Sequence, residues 1–508
     1  MPDFIKQSVL ASFAVWGVVT ITGCAVTSPP IDTDKQTWGA YDRINEIVSR
    51  DEPVSGPISL YEAMARALKY NLDQKIELMD EEYKSKLSEL GRLGMFPSVV
   101  ASVGGSQRNN DSGSSSRSLI DGSQSLQSST SSERRTYTAQ LAASWDILDF
   151  GLSYIQNKQN VDEQYISQER RRKVISRILE DVRTAYWRAV SADRTHEKLI
   201  KLEALAQKTL YQSEQLAKRR NVSPLKVLNY QHDLLEIQAN VQRMQRELFF
   251  AKKQLAALIN LKPETPFKLV LPDRTAVVPE LPGSAEQMIL IGLKYRSELR
   301  ESSYRKRIND NELTKQWVRN LPSFKTLLGM NYDTNKYLYN NEWANFSGTV
   351  SWNLMNVFSY PMQHKVVQAE AKVIQAREDA LIMAILTQIY VSRARFIRLS
   401  QELNTVRQSH EVQDNILELT RAGFQGKIIS QMDLVQVEMK TILDEVRYDT
   451  AYADLQNAYA NLYASMGIDN FDSDITEKDS VSSIAKKLQF YWTEEITTLP
   501  EVSRRENP

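Results

Sequence analysis

Hydrophobic and polar residues alternate in four short windows of this chain and recur every three or four residues almost everywhere else. The first window is Ser98-Val99-Val100-Ala101-Ser102-Val103. In the second, Tyr137, Ala139, Leu141, Ala143 and Trp145 share one side, and Thr138, Gln140, Ala142 and Ser144 share the other. In the third, Phe324, Thr326, Leu328, Met330 and Tyr332 line one side. In the fourth, Ala344, Phe346, Gly348, Val350 and Trp352 oppose Asn345, Ser347, Thr349 and Ser351. Period-two alternation over about nine residues matches one membrane-crossing β-strand. An apolar side ending in aromatic rings, opposite a polar side, suits a strand between lipid and water. A Ser/Gly-rich tract from 104 to 134 joins the first two windows, and a loop from Asp333 to Glu342 joins the last two.

The remainder carries a helical pattern. Leu234, Ile237, Val241, Met244, Leu248, Ala251, Leu255 and Leu258 alternate steps of three and four. That 3.5-residue period makes paired helices supercoil. Ile178, Val182, Ala185, Ala189, Ala192 and Leu199 form the matching stripe on the preceding helix. Val373, Ala376, Ala380, Met383, Tyr390, Ala394 and Ile397, then Met432, Val435, Met439, Ile442 and Val446, repeat the arrangement later. A helix from Gly151 to about Lys218 would span roughly 100 Å.

The chain is duplicated. Ala67-Leu68-Lys69-Tyr70 recurs as Gly292-Leu293-Lys294-Tyr295, and Phe96-Pro97-Ser98 as Leu321-Pro322-Ser323, both at an offset of 225. Trp145-Asp146-Ile147-Leu148 recurs as Trp352-Asn353-Leu354-Met355 at 207, because the second hairpin loop is shorter. Loops tolerate such changes and strands do not. Pro97 and Pro322 stop a helix where a strand begins, and Gly151 and Pro361 mark the return to helix. The expected organisation is a signal peptide at 1–23 and an extended segment at 24–57. A first repeat follows at 58–283, with strands near 97–106 and 136–146 and long helices near 151–218 and 224–262. The second repeat covers 284–468, with strands near 322–332 and 343–354 and long helices near 359–421 and 430–466. A polar C-terminal segment covers 469–508.

Composition narrows the function. Lys+Arg and Asp+Glu both number 63, a balance that argues against a nucleic-acid binder. The four His have no metal-ligand spacing, and no nucleophile–base set or Walker phosphate loop is present, so neither enzyme nor cofactor is expected. The one Cys, Cys24, precludes an intrachain disulfide. Met1 to Cys24 reads as an export leader, with Lys6 at its start and an apolar stretch from Val9 to Ile21. Its end, Ile21-Thr22-Gly23-Cys24, resembles a bacterial lipobox, which would make Cys24 the acylated first residue. A leader cut elsewhere, with Cys24 discarded, is the alternative. No later run reaches the ~18 apolar residues of a spanning helix.

Four membrane strands leave two open edges in lipid, where each unpaired backbone group is costly. Closed barrels begin at about eight strands. The chain must therefore assemble, most simply as a ring. Two copies give eight strands and three give twelve, and composition does not choose between them.

The duplicated unit, the Pro at each helix-to-strand joint and one helix–helix turn together resemble the TolC family of outer-membrane efflux proteins, over Ser59 to about Gly467. That turn, Arg421…Gly426…Ser430-Gln431-Met432-Asp433, looks like the family's Arg-x-x-x-Gly-Leu-x-Ser-x-x-Asp tip. It departs by extra residues after Arg421 and by Lys427 in place of Leu, and the first tip lacks Gly. The resemblance implies a mainly α fold with membrane β-strands. Three chains would build a twelve-stranded β-barrel continued by a long α-helical barrel, bound in outer-membrane lipid and extending into the periplasm. It implies the channel component of a tripartite efflux or secretion system. A type I protein-secretion exit duct is one alternative, and a non-transporting lipid-anchored coiled-coil scaffold is another. The tips, at Arg220, Asn221, Val222, Ser223, Gly423, Gly426, Lys427 and Ser430, would meet a periplasmic adaptor (membrane fusion) protein joined to an inner-membrane pump. Asn345, Ser347, Thr349 and Ser351 would face the lumen, and Cys24 fits the family's lipoprotein branch.

Overall fold

A computed structural model describes residues 30–49, 52–125, 127–218, 223–262, 265–274, 279–468, 479–495 and 499–500. The leader with Cys24, and Arg220, Asn221 and Val222 of the first tip, lie outside the described residues. Contacts divide the chain into Met1–Pro53 and Val54–Pro508. In the first unit the expected extended lead-in is instead helical over α1 (Thr33–Ser49). Asp32 explains the difference, because its Oδ1 accepts the Asp34 and Lys35 N–H groups, each at 3.1 Å, as an N-cap.

The second unit is a duplication, element for element. Helices α2 (Leu60–Tyr70) and α6 (Ala285–Tyr295) have 11 residues each. Helices α3 (Leu72–Leu93) and α7 (Ser297–Val318) have 22. Helices α4 (Ile147–Lys218) and α8 (Leu354–Gln425) have 72, and α5 (Pro224–Leu258) and α9 (Gln431–Ser465) have 35. Between α3 and α4 lie β1 (Ser98–Gln107) and β2 (Arg135–Asp146); between α7 and α8 lie β3 (Ser323–Asp333) and β4 (Glu342–Ser351).

The long helices start earlier than Gly151 and Pro361 suggest. Asp146 Oδ1 accepts the Leu148 and Asp149 N–H groups, and Asn353 Oδ1 accepts that of Met355. Those caps sit inside the very segment that recurs between the copies, and they set the boundary. Pro361 is consequently an interior helix residue. Each copy also ties strand end to helix end in the same way. Trp145 Nε1 donates to Met95 O at 3.3 Å, and Trp352 Nε1 donates to Asn320 O at 2.9 Å. Both acceptors lie two residues before the joint proline.

Among the described residues, three apolar clusters hold the helices. The first joins α2, α4, the end of α5 and α9 through Met64, Leu179, Tyr186, Leu255 and Leu455. Helix α10 (Val481–Phe490), in the segment expected only to be polar, adds Val481, Ile484 and Leu488 to this cluster. Tyr186 donates to Val270 O at 3.0 Å, and burial pushes its hydroxyl pKa up. The second cluster zips α4–α5 to α9 through Leu202, Leu234, Val241, Met439 and Val446. The third seats α6 on α8 and α9. There Gly292 stands where its duplicate has Ala67, because a Cβ would lie 2.6 Å from Ile389 Cδ1.

The stripe expected on α8 is turned outward. Val373, Met383 and Tyr390 are exposed, while Ile385, Ile389, Phe396 and Leu403 are buried against this chain. Helix α8 therefore carries two apolar faces. The same surplus makes it long and apolar enough to pass as a membrane span by length and composition, which uninterrupted runs had not suggested.

A charged clasp fastens the segment between the copies. Asp449 on α9 is 1% exposed. It accepts from Arg194 Nη1 at 2.7 Å, Arg274 Nε at 2.6 Å and Arg274 Nη2 at 2.8 Å. Lys198 and Arg274 also pair with Glu445. Burial alone would raise the Glu445 carboxyl, but those two cations outweigh it and hold it below its usual range.

Candidate membrane-facing sheet and helix tips

Strands β1 to β4 form one antiparallel sheet in sequence order. The register joins the four windows into two continuous faces. Ala101 opposes Leu141, Leu141 opposes Met330, and Met330 opposes Ala344. Directly opposed residues share a side of the sheet. One face therefore carries Val99, Val103, Tyr137, Leu141, Trp145, Phe324, Leu328, Met330, Tyr332, Phe346 and Val350. This face is open, with Val103 86% and Phe346 73% exposed. An apolar patch this broad is more than a water-soluble surface ordinarily shows.

The other face is polar. Asn345, Ser347, Thr349 and Ser351 lie on it, opposite Gly329, Leu327, Lys325 and Ser323. It also holds Asn331, Lys325 and Asp146. Asn331 Nδ2 donates to Asn345 Oδ1 at 2.6 Å. Lys325 opposes Asp146, and Ser323 Oγ donates to Asp146 Oδ2 at 2.6 Å. The alternation of β3 carried that signal in its unused half, Lys325 to Asp333. Strands β1 and β4 are the two edges, and each has a partner on one side only.

The hairpin loops beyond the sheet are stitched together. Asn335 accepts the Glu133 N–H at 3.2 Å and donates to Ser131 O at 2.9 Å. Lys336 pairs with Glu133 at 2.9 Å, a contact that holds the Glu133 carboxyl below its usual range.

At the opposite end of α8, the second tip is a Schellman turn. Ile428 N–H donates to Gly423 O at 2.9 Å, and Lys427 N–H donates to Phe424 O at 3.0 Å. Lys427, not Gly426, takes the left-handed conformation, at φ 58. A Cβ on Gly423 would lie 2.6 Å from Ile429 Cδ1, so Gly423 is the glycine the turn needs for close packing. Ser430 Oγ accepts the Asp433 N–H at 3.2 Å and caps α9, and Arg421 pairs with Glu438 at 3.0 Å. At the first tip, Pro224 opens α5, but the Ser223 side chain makes no cap hydrogen bond. Leu225, Leu228, Leu419 and Ile428 are exposed near the two tips. Among the described residues no three His, Cys, Asp or Glu converge as a metal set.

No family model and no curated protein sequence matches the chain. Solved structures do. The outer membrane channel CmeC of Campylobacter jejuni aligns with a TM-score of 0.64 at 12% identity, over 87% of this chain and 93% of that one. VceC, an outer membrane protein of Vibrio cholerae, aligns with 0.60 at 12%, over 80% and 96%. The open state of MtrE, an outer membrane channel of Neisseria gonorrhoeae, aligns with 0.58 at 16%, over 80% and 89%. The chain has the fold of outer-membrane channels. Its structural neighbours are channel proteins, not enzymes.

Proposed function

We propose, with that channel fold as the premise, that three copies of this chain form a passive exit conduit across a bacterial outer membrane. The observation that carries the reading is the sheet: one apolar face, one polar face and two open edges in a single chain. Edge-to-edge closure removes the edges, puts Leu141 and Phe346 against lipid, and turns Asn345, Ser347, Thr349 and Ser351 toward a lumen. An eight-stranded barrel from two copies would be filled by its own side chains, whereas twelve strands leave a passage. The second apolar face of α8, with Met383 and Tyr390, would be covered by a neighbouring chain, which continues the barrel as a helical tunnel.

The tips would dock a periplasmic adaptor joined to an inner-membrane pump, through Ser223, Gly423, Gly426, Lys427 and Ser430 together with Arg220, Asn221 and Val222. The exposed Leu225, Leu228 and Ile428 give that contact an apolar component. Acylated Cys24 would add an anchor to the outer membrane. The conduit needs no cofactor, because the pump would supply energy and choose the cargo. Secreted proteins leaving by a type I route would use the same surfaces. A water-soluble scaffold is disfavoured, since it would leave the whole apolar face of the sheet in water.

The test is purification from outer membrane in detergent, with native mass and planar-bilayer current measured on the same sample. A three-chain assembly that conducts is expected. A detergent-indifferent monomer that passes no current would falsify the reading.

A further inference from the structure

Trp343 breaks the pattern of the polar face. It is the second residue of β4 and lies at the loop end of the sheet. Trp343 opposes Asn331, Asn331 opposes Gln140, and Gln140 opposes Ser102. The indole thus belongs to a row of small polar and amide side chains, on the side away from Leu141 and Phe346. It is the single aromatic residue on that side of the four strands and is 44% exposed. Trp145 and Trp352 differ from it, because their indoles are tied to helix-end carbonyls.

The surroundings of Trp343 suit a ligand. Toward the interior, the Asn331–Asn345 amide pair lies over Gly329, where a Cβ would come within 2.6 Å of Asn345 Oδ1, so the absent side chain is what lets the two amides sit beside the ring's row. Toward the loop, Asp333 is the next residue of β3 on the same side after Asn331, which makes it a diagonal cross-strand neighbour of Trp343. Its Oδ1 accepts the Asn335 N–H at 2.9 Å. Lys336, the cation of the adjoining loop, is occupied by Glu133. An indole face flanked by amides and one carboxylate attracts planar cations.

We infer that Trp343, with Asp333 beside it, forms an aromatic collar in the outer mouth of the conduit that binds aromatic cations as they leave. This rests on the three-chain closure proposed above. Twelve strands about 4.8 Å apart and tilted about 40° give a backbone radius of roughly 12 Å. Three indoles pointing inward from that wall narrow the mouth enough for a passing ring to touch one.

Two measurements decide it. In lipid vesicles, the emission lost in Trp343→Phe isolates this one indole. It should be quenched by aqueous acrylamide and spared by brominated lipid chains. The reverse places the ring in an interfacial belt and overturns the collar. In planar bilayers, tetraphenylphosphonium added on the loop side should block the native current. Its half-blocking concentration should rise about tenfold in Trp343→Ala. The shift should stay below about threefold in Trp343→Tyr, which keeps an aromatic face. Unchanged block in Trp343→Ala overturns the collar and leaves the conduit standing. A native protein that passes no current removes the conduit, and the collar with it.

Discussion

The sheet and the clasp around Asp449 obey opposite rules for charge and oil. In the clasp, the Asp449 carboxylate is buried and that of Glu445 partly so, and each is matched by guanidinium or ammonium within hydrogen-bond reach. Around it, Leu179, Tyr186 and Leu455 point inward. On the sheet, Leu141, Phe346 and Val350 point outward, and the polar residues gather on the other side. One chain is thus built for two solvents. The helical body follows the logic of a protein in water, and the sheet follows that of a strand wall with lipid outside. The difference lies in which partner satisfies each group: the clasp is complete within one chain, whereas the sheet is finished only by lipid and by further strands.

The largest effect should come from breaking the clasp. Asp449→Asn leaves Arg194 and Arg274 facing a neutral amide in a buried site and should cost about 3–5 kcal/mol. Denaturant unfolding followed by the helical circular-dichroism signal measures it. A loss under about 1 kcal/mol would mean that water reaches the clasp and that the contrast is weaker than drawn. Acid should loosen the same place. The Glu445 carboxyl sits below its ordinary value of 4.5 in the fold, so its contribution is present above that value and is lost as pH falls through the lower folded one. A melting temperature that rises on acidification through this range would contradict the assignment.

The next effect tests the sheet. Leu141→Lys puts an ammonium on the open apolar face and should cost about 2–4 kcal/mol in lipid. Gln140→Lys, one residue away on the polar face, should be tolerated. Folding into vesicles compares the two. Equal costs would mean that both sides of β2 see the same medium, and the two-solvent contrast would fall.

Much of this was legible in the residues, because alternation and heptad spacing are direct consequences of strand and helix geometry. The four windows and the long helices are found within a few residues of where that geometry puts them. What escaped has specific causes. The helix starts depended on the side chains of Asp146 and Asn353, whose capping is invisible to a search for Gly and Pro. Helix α8 misled because it has two apolar stripes, and periodicity alone does not tell which one the same chain covers. Helix α10 has only three buried apolar residues in a polar stretch, Val481, Ile484 and Leu488, too few to stand out. Trp343 lies just outside the fourth window, which begins at Ala344; its parity with Asn345 and Ser347 already put it on the polar side, and the cross-strand register agrees.

The smallest expected effect lies at the second tip, and it asks how far the logic of the helical body extends. The turn makes both Schellman hydrogen bonds, yet a lysine holds the left-handed position at φ 58. A Cβ there is strained, so Lys427→Gly should stabilise the turn, but glycine also frees the unfolded chain, which leaves a net gain of about 0.5–1 kcal/mol. Gly426→Ala should be nearly neutral, because φ is −74 there and the new Cβ would meet Ala422 O at 3.5 Å and Gly423 O and Ile428 Cδ1 at 3.6 Å, all ordinary contacts. Gly423→Ala should loosen the turn by pushing Ile429 aside. Amide exchange at Ile428 and Ile429 reads all three locally, where a global melt would not. If Lys427→Gly slows exchange and Gly423→Ala speeds it, the tip is held by the same internal bonding as the body. If none of the three changes exchange, the turn is open in solution, and the order in its backbone must come from whatever partner it meets.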